Sequence, residues 1–453
     1  MTVVIDPQEP ERSLSIDEAA RERPEGVCLR IAGHDITFAE AARGARSILN
    51  SLVLPPKGRP YVLRAANDVP TLLTFYALLQ AGVPMLLLSP KLTEGEAASY
   101  LKAASAIKEP LTDEAAVVIF TSGTTGPSKP AVLSRRALAA NALAVSRHIH
   151  MTEDDVWLLS LSAARVGGLG ILTRSLACRS GVALGAKYSA QGFVSELADM
   201  RVTIASLVPA MLTDVLDHYP DWEPPKDFRL LLVGGSACPV RLRRAALAHR
   251  IPIVTTYAMT ETASSVAMSP YEDCLTDNFA ADRALTGAEI RLSEKNEVEV
   301  RGAMLMNGYW GREAISPGSW HRTGDIADMD ADGGLRIKAR QSEVLITGGE
   351  KVYPAEVELA LSEIEGVEAA LVAGIPDTKW GVIVGALLVA PEGAAPMKSE
   401  ELARAVREKL ASYKCPRRVA WVKDLPKTAE GKPLRKPVIF EGKQLETLHY
   451  TGL

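Results

Sequence analysis

Cysteine is scarce and scattered in this chain: Cys28, Cys178, Cys238, Cys274 and Cys415 are five among 453 residues, and no two form a C-x-x-C pair. That spacing excludes a disulfide-stapled framework and a thiolate zinc site, and fits reduced thiols. Histidine is equally thin. Seven residues include one close pair, His148 and His150, and no H-E-x-x-H, so a zinc centre is not expected. Neither sign of charge dominates: 51 Lys and Arg against 55 Asp and Glu leave a net −4, which gives no electrostatic footing for nucleic acid. Long hydrophobic runs are also missing. Val382-Ile-Val-Gly-Ala-Leu-Leu-Val-Ala390 has about half of the ~20 residues a membrane span needs, so it reads as a buried strand and no membrane partner is expected. Met1-Thr-Val-Val-Ile-Asp-Pro7 lacks a basic region followed by an apolar core, so the chain is expected to carry no signal peptide and to be cytoplasmic.

What is present is a globular composition, 47% apolar and 23% charged, on a chain long enough for two or three domains. Helix-period segments alternate with short apolar runs. Phe38–Asn50 is followed by Tyr61-Val-Leu-Arg64, and Thr71–Gln80 by Pro84-Met-Leu-Leu-Leu-Ser89. The rhythm continues through Val202–Pro209, Arg229–Gly235 and Ile251–Tyr257, which argues for parallel sheets covered on both faces. After about Ile290 the texture becomes strand-rich, with Asn296–Gly302 and Gly334–Lys338 as alternating segments. Asp328-Met-Asp-Ala-Asp-Gly-Gly334 opens like a calcium loop but lacks the closing glutamate, and reads as a hairpin turn. From Gln341 a compact tail follows: a helix from Pro354, strands at Glu368–Ala373 and Gly381–Ala390, and a charged helix over Ser399–Ser412. The expected fold is α/β. A large N-terminal body of βα-built sheets plus a β-rich subdomain, residues 1–340, precedes a small mobile α+β domain, residues 341–453.

The apolar run Ala115–Phe120 empties into Thr121-Ser122-Gly123-Thr124-Thr125-Gly126-Pro127-Ser128-Lys129. Unpaired backbone N–H groups and hydroxyls at such a turn wrap a polyphosphate, and glycine lets the main chain approach it closely. Five further segments accompany it, in order: Gly234-Gly235-Ser236-Ala237, Thr256–Thr262, Arg322-Thr-Gly-Asp325 with Arg340, Gly348–Glu356 and Leu425–Arg435. Taken singly each has an ordinary explanation. Lys432 would be a solvated lysine, Asp325 a turn former, Glu261 a helix-start acid and Tyr257 a core aromatic.

Together, over nearly its whole length, the chain resembles the adenylate-forming acyl-CoA synthetases, or AMP-binding enzymes. That resemblance implies ATP, Mg²⁺ and coenzyme A as cofactors and a small carboxylic acid as substrate. It assigns the phosphates to Thr121, Ser122, Gly123, Thr124, Thr125, Gly126 and Lys129. The adenine falls to Gly235, Ser236, Ala237 and Tyr257, and the ribose to Asp325 with Arg340 beside it. Thr260 bonds the α-phosphate, Glu261 ligates Mg²⁺, and Gly348 and Gly349 line the thiol path. Lys432 serves the first half-reaction, because an ammonium reaching both the attacking carboxylate and the α-phosphate offsets their negative charge. The hinge falls at about Gln341–Ser342.

The chain departs from the family pattern at Pro130, Ala258 and Ser342, and above all at Arg165, where relatives commonly carry histidine. A guanidinium there suits a carboxylate but does not exchange protons. The stretches Val166–Leu176, Ser206–Leu212 and Met259–Ser264 are most similar to o-succinylbenzoate–CoA ligases, whose substrate has two carboxylates. The acyl pocket is then expected from Arg165, Gly167, Gly168, Val208, Ala258, Met259 and Ser264, with Arg165, Thr260 and Lys432 as the catalytic set. Two other readings stay open. One is an aryl-acid ligase, or an enzyme loading an acyl carrier protein; the other is a degenerate binder of acyl-adenylate. Oligomeric state is not readable from the sequence.

Overall fold

The structure is a computed structural model that describes residues 13–121, 128–347, 350–378, 380–427 and 433–450. Ser122, Gly123, Thr124, Thr125, Gly126, Gly348, Gly349 and Lys432 therefore lie outside the described residues. Two compact units are present. The first comprises Met1–Arg291, Glu299–His321 and Asp330–Leu335, and the second Leu292–Val298, Arg322–Met329 and Arg336–Leu453.

In the first unit, local sequence signals set the helix starts. Thr37 and Glu40 form a reciprocal capping box for the helix Phe38–Ser51, as do Thr93 and Glu96 for Glu94–Ala106. Asp68 caps Val69–Gln80 by accepting from Thr71 N, with Pro70 in the first turn, where no N–H is needed. Several of the strands are buried along their whole length. Met85–Leu88, Ile204–Leu207 and Leu230–Val233 have no exposed position, as expected of parallel strands covered on both faces.

Two sheets result. A nine-stranded sheet runs Arg283–Ala284, Ser264–Met268, Ile253–Met259, Leu230–Val233, Ile204–Leu207, Val156–Leu158, Gly181–Ala183, Val27–Ile31, His34–Thr37. In it Val156–Leu158, Ile204–Leu207, Leu230–Val233 and Ile253–Thr255 are neighbouring and parallel. A five-stranded sheet runs Gly308–Tyr309, Lys129–Ser134, Ala115–Thr121, Met85–Leu88, Tyr61–Arg64. Helices Ala190–Asp199, Pro209–His218 and Val240–Ala248 bury Phe193, Leu197, Leu212, Val215 and Leu242 against the larger sheet. Loops at the carboxyl ends of adjacent parallel strands are where an α/β sheet offers a ligand crevice.

The second unit has its own core. An antiparallel hairpin, Ala369–Asp377 with Gly381–Val389, keeps register from Ala369↔Val389 to Asp377↔Gly381. Arg418–Trp421 joins it in parallel. Helices Pro354–Ser362 and Ser399–Lys409 place Val357, Leu361, Leu402 and Val406 against Val384 and Leu388. The charged helix stops at Lys409, three residues short of the expected Ser412. Leu410 turns to an extended conformation and is buried, and a short 3₁₀ turn, Ser412–Lys414, follows. In the turn after Met329, the Asp330 carboxylate accepts from Asp332 N and Gly334 N, so one of its oxygens serves the hairpin's own backbone. Among the described residues no helix is long and apolar enough to cross a membrane.

Candidate active site

The strand Ala115–Thr121 and its neighbour Lys129–Ser134 are antiparallel, with Thr121 opposite Lys129. Thr121 Oγ1 donates to Lys129 O at 3.3 Å, closing the base of the expected phosphate loop. The Lys129 ammonium stands 5.3 Å from the ring centroid of Tyr309. Tyr309 lies on the short strand Gly308–Tyr309, whose register places it opposite Ala131. Its hydroxyl donates to Glu261 Oε1 at 2.8 Å, and Glu261 O in turn accepts from Met306 N at 2.8 Å. Glu261 and Thr260 sit in the 3₁₀ turn Thr260–Thr262 that ends the strand Ile253–Met259. Lys129 and Glu261, far apart in sequence, are thus joined through one tyrosine that sequence reasoning did not single out.

On the adjacent strands, Leu230–Val233 opens into Gly234–Ala237, with Gly235, Ser236 and Ala237 exposed. Gly235 has φ +82°, a conformation other residues rarely adopt, and a Cβ there would also approach Val208 Cγ1 to 3.1 Å. Val208 and the Gly234–Ala237 loop therefore meet. Tyr257 and Ala258 are half-buried, with a register shift between them that bends the strand at this point; Met259 and Ser264 are buried. Beneath Tyr257, Thr255 Oγ1 donates to Asp282 Oδ1 at 2.7 Å. Burial pushes the Asp282 carboxyl up to about 6, against the lowering effect of that hydrogen bond and of the Arg243 charge.

Arg165 caps the helix Val166–Cys178 without offering a side-chain acceptor to its first turn. A cation at the positive end of a helix dipole leaves the first-turn N–H groups open and favours an anion there. Its Nη1 donates to Phe120 O at 3.3 Å, so the guanidinium lies at the strand end that leads into the expected phosphate loop. Asn67, also not anticipated, pins the loop that carries Arg165. Its Nδ2 donates to Leu159 O (3.1 Å) and Leu161 O (2.9 Å), and its Oδ1 accepts from Ala163 N (3.0 Å). Gly168 has no alternative, since a Cβ would fall 2.3 Å from Ser162 O; Gly167 packs on Leu161.

In the second unit, Asp325 is buried and Arg340 Nε lies 2.9 Å from its Oδ1, while Arg340 Nη1 donates to Thr323 O at 3.0 Å. The short 3₁₀ turn Gln341–Glu343 follows Arg340 directly. The segments flanking Lys432 are anchored: Lys427 and Pro433 form an antiparallel bridge, and Leu434 N donates to Pro426 O at 3.1 Å. Arg435 grips Glu358 with two hydrogen bonds, 2.8 and 2.7 Å, and reaches Glu343 at 3.2 Å. Strands Leu345–Thr347 and Glu350–Val352 flank the Gly348–Gly349 pair, with Thr347 opposite Glu350.

Comparison with known proteins bears on this arrangement. Residues 103–310 match the model of the AMP-binding enzyme family, and residues 356–432 that of the AMP-binding enzyme C-terminal domain. A 2-succinylbenzoate–CoA ligase of Bacillus mycoides (strain KBAB4) is 33% identical over 338 residues, covering 72% of this chain and 69% of that protein. The 2-succinylbenzoate–CoA ligase of Listeria monocytogenes serotype 4b (strain F2365) is 29% identical over 456 residues, 92% of this chain and 97% of the relative. Among solved structures, o-succinylbenzoate CoA synthetase (MenE) from Bacillus subtilis, in complex with the acyl-adenylate intermediate OSB-AMP, superposes with a TM-score of 0.82. It is 26% identical, with 93% of this chain and 96% of that one covered. The same enzyme with ATP and a magnesium ion gives a TM-score of 0.81 at 26% identity, over 93% and 98% of the two chains.

Proposed function

The chain belongs to the AMP-binding enzyme family, and from that premise we propose that it is an ATP-dependent acid–CoA ligase whose acid is o-succinylbenzoate, a reaction of menaquinone synthesis in the cytoplasm. The observation that carries this reading is the Lys129–Tyr309–Glu261 cluster at the mouth of the Thr121–Lys129 loop. It gathers a cation for phosphate oxygens from a strand of the five-stranded sheet and a carboxylate for a metal from the turn that ends a strand of the nine-stranded sheet.

In the first half-reaction a carboxylate oxygen of the acid attacks the α-phosphorus of ATP. The bond from that phosphorus to the bridging oxygen breaks, and pyrophosphate leaves with the electron pair. Lys129 and the loop hydroxyls hold the outer phosphates. Thr260 bonds the α-phosphate, and Lys432, on the 341–453 segment, offsets the charge shared by nucleophile and phosphate. Gly235, Ser236, Ala237 and Tyr257 seat the adenine, and Asp325, steadied by Arg340, the ribose. Glu261 fits Mg²⁺: Tyr309 engages Oε1, while Oε2 is an oxygen donor of the type that hard cation takes alongside phosphate and water. When bound, the ion neutralises charge on the triphosphate. In the second half-reaction the coenzyme A sulfur, having given up its proton, attacks the acyl carbon and AMP departs with the carboxylate-derived oxygen. Gly348 and Gly349 line the thiol's approach after rotation about Gln341–Ser342.

Arg165 supports the choice of acid. Its guanidinium has one long hydrogen bond to a peptide oxygen, with no carboxylate in salt-bridge range among the described residues, so it suits the second carboxylate of a dicarboxylic acid. Val208, Ala258, Met259, Ser264, Gly167 and Gly168 enclose the aromatic ring. A panel of aromatic and aliphatic acids, assayed for acid-dependent pyrophosphate release with coenzyme A or a carrier protein as acceptor, tests the proposal. We expect o-succinylbenzoate with coenzyme A to give the highest kcat/KM. Preference for a monocarboxylic aryl acid or for the carrier protein would replace the substrate assignment, and turnover of no acid would refute the ligase reading.

A further inference from the structure

A buried polar chain lies behind this site. Arg174, on the helix Val166–Cys178, is 1% exposed, yet no carboxylate lies within salt-bridge distance of it among the described residues. Its guanidinium stands 5.5 Å from the Trp157 ring centroid and makes one hydrogen bond, Nη2 to Asn141 Oδ1 at 3.1 Å; Nε has no partner. Burial pushes its pKa down to about 9. Gly170, one turn earlier, keeps space for it, since a Cβ there would come within 3.0 Å of Arg174 Cζ. On stability grounds alone this residue is a liability, because apolar replacement of buried charge is commonly neutral or stabilising.

Asn141 is 2% exposed, and its amide nitrogen donates to both Thr262 O (3.1 Å) and Ser265 O (2.7 Å). Those carbonyls bracket Ala263 and Ser264, whose φ values of 55° and 136° are unusual for residues with a side chain. This turn follows Thr260 and Glu261 directly. Arginine carries donors and no acceptor, so its contact decides which end of the Asn141 amide faces it. The oxygen must turn to Arg174, which commits both N–H groups to the two carbonyls. An apolar residue at 174 would leave Oδ1 buried without a donor, so that the grip of Asn141 on this turn would rest on the two carbonyls alone.

We propose that Arg174 and Asn141 are positioning residues that hold the left-handed turn after Glu261, and through it orient Thr260 and Glu261 toward the triphosphate. The proposal rests on the assignment of those two residues to the nucleotide site. It is tested on the full-length enzyme with Arg174→Met, Arg174→Lys, Asn141→Ala and the Met/Ala double variant, measuring thermal midpoint and acid-dependent ATP–pyrophosphate exchange. Arg174→Met is expected to melt at or above the wild-type midpoint while losing about tenfold in kcat, with KM for the acid within about twofold. Arg174→Lys, also a pure donor, is expected to recover to within about threefold. The double variant should be no worse than the poorer single one, because both substitutions break the same contact. Wild-type kcat in Arg174→Met, failure of Arg174→Lys to rescue a folded enzyme, or multiplying losses in the double variant would each overturn it. Absence of exchange in the wild type would instead overturn the nucleotide assignment, and this proposal with it.

Discussion

Replacing Tyr309 by phenylalanine isolates the contact on which the metal assignment depends. The ring remains, so the cation–π contact with Lys129 is kept, while the 2.8 Å hydrogen bond to Glu261 Oε1 is lost. A hydrogen bond to a charged group contributes about 1.5–3 kcal/mol when well shielded. Tyr309 and Glu261 are both half-buried, so solvent takes over part of that role, and about 1–1.5 kcal/mol is the expected loss. With 1.4 kcal/mol per factor of ten, the free Mg²⁺ giving half-maximal acid-dependent ATP–pyrophosphate exchange should rise about five- to tenfold. At saturating Mg²⁺ the kcat should return close to wild type. The assay is exchange rate against buffered free Mg²⁺ at fixed ATP. Tyr309→Leu serves as a control that also removes the ring and should in addition raise KM for ATP. An unchanged Mg²⁺ half-saturation in an otherwise active Tyr309→Phe enzyme would refute the reasoning, because Glu261 would then need no support from Tyr309.

Two further outcomes follow from other parts of the molecule. The Asp282 carboxyl, pushed up to about 6 from an ordinary 3.8, binds a proton more readily folded than unfolded. Its contribution to stability is fully present below about pH 4, is lost as pH rises toward 6, and is absent above that. The shift caps the effect at about 3 kcal/mol, and because Asp282 retains some contact with solvent about 1–2 kcal/mol is expected. Asp282→Asn should therefore raise the denaturation midpoint at pH 7.5 and leave it nearly unchanged at pH 4, measured by denaturant titration at both; equal shifts at the two values would contradict the assignment. Lys432→Ala should reduce adenylation by at least about a hundredfold while sparing most of the conversion of supplied acyl-adenylate to thioester, and equal loss of both half-reactions would show that the lysine is not confined to the first.

Much of the fold was legible because its signals are local. Strands such as Met85–Leu88 and Leu230–Val233 announce themselves as unbroken apolar runs, and helices such as Phe38–Ser51 and Val69–Gln80 by caps within three residues of their starts. The strand Ala115–Thr121 and the turns at Gly234–Ala237 and Thr260–Thr262 were likewise readable as apolar runs ending in small polar residues. What could not be read were the supports. Tyr309 lies 48 residues from Glu261, Asn67 lies 92 from Leu159, and Asn141 lies 121 from Thr262. A lone tyrosine after a glycine, or an asparagine inside a helix, has no periodicity or spacing that reports a partner so distant. Arg174 was hidden for a different reason. It falls in the apolar helix Val166–Cys178, where an arginine reads as a surface residue or a helix-edge charge, and its burial becomes visible only when Asn141 and Trp157 are placed beside it. The charged helix after Ser399 illustrates the opposite error, since composition alone extends it to Ser412 although Leu410 leaves the helix to reach the core.

The order of bond-making can be followed by isotope. With o-succinylbenzoate labelled by ¹⁸O in its carboxyl groups, ATP and coenzyme A, attack of the acid on the α-phosphorus and later departure of AMP from the acyl carbon must carry one labelled oxygen into AMP. Mass spectrometry of the products should find one ¹⁸O in each AMP and none in pyrophosphate. Label in inorganic phosphate, or AMP free of label while thioester accumulates, would mean that the acid is not activated on the α-phosphate.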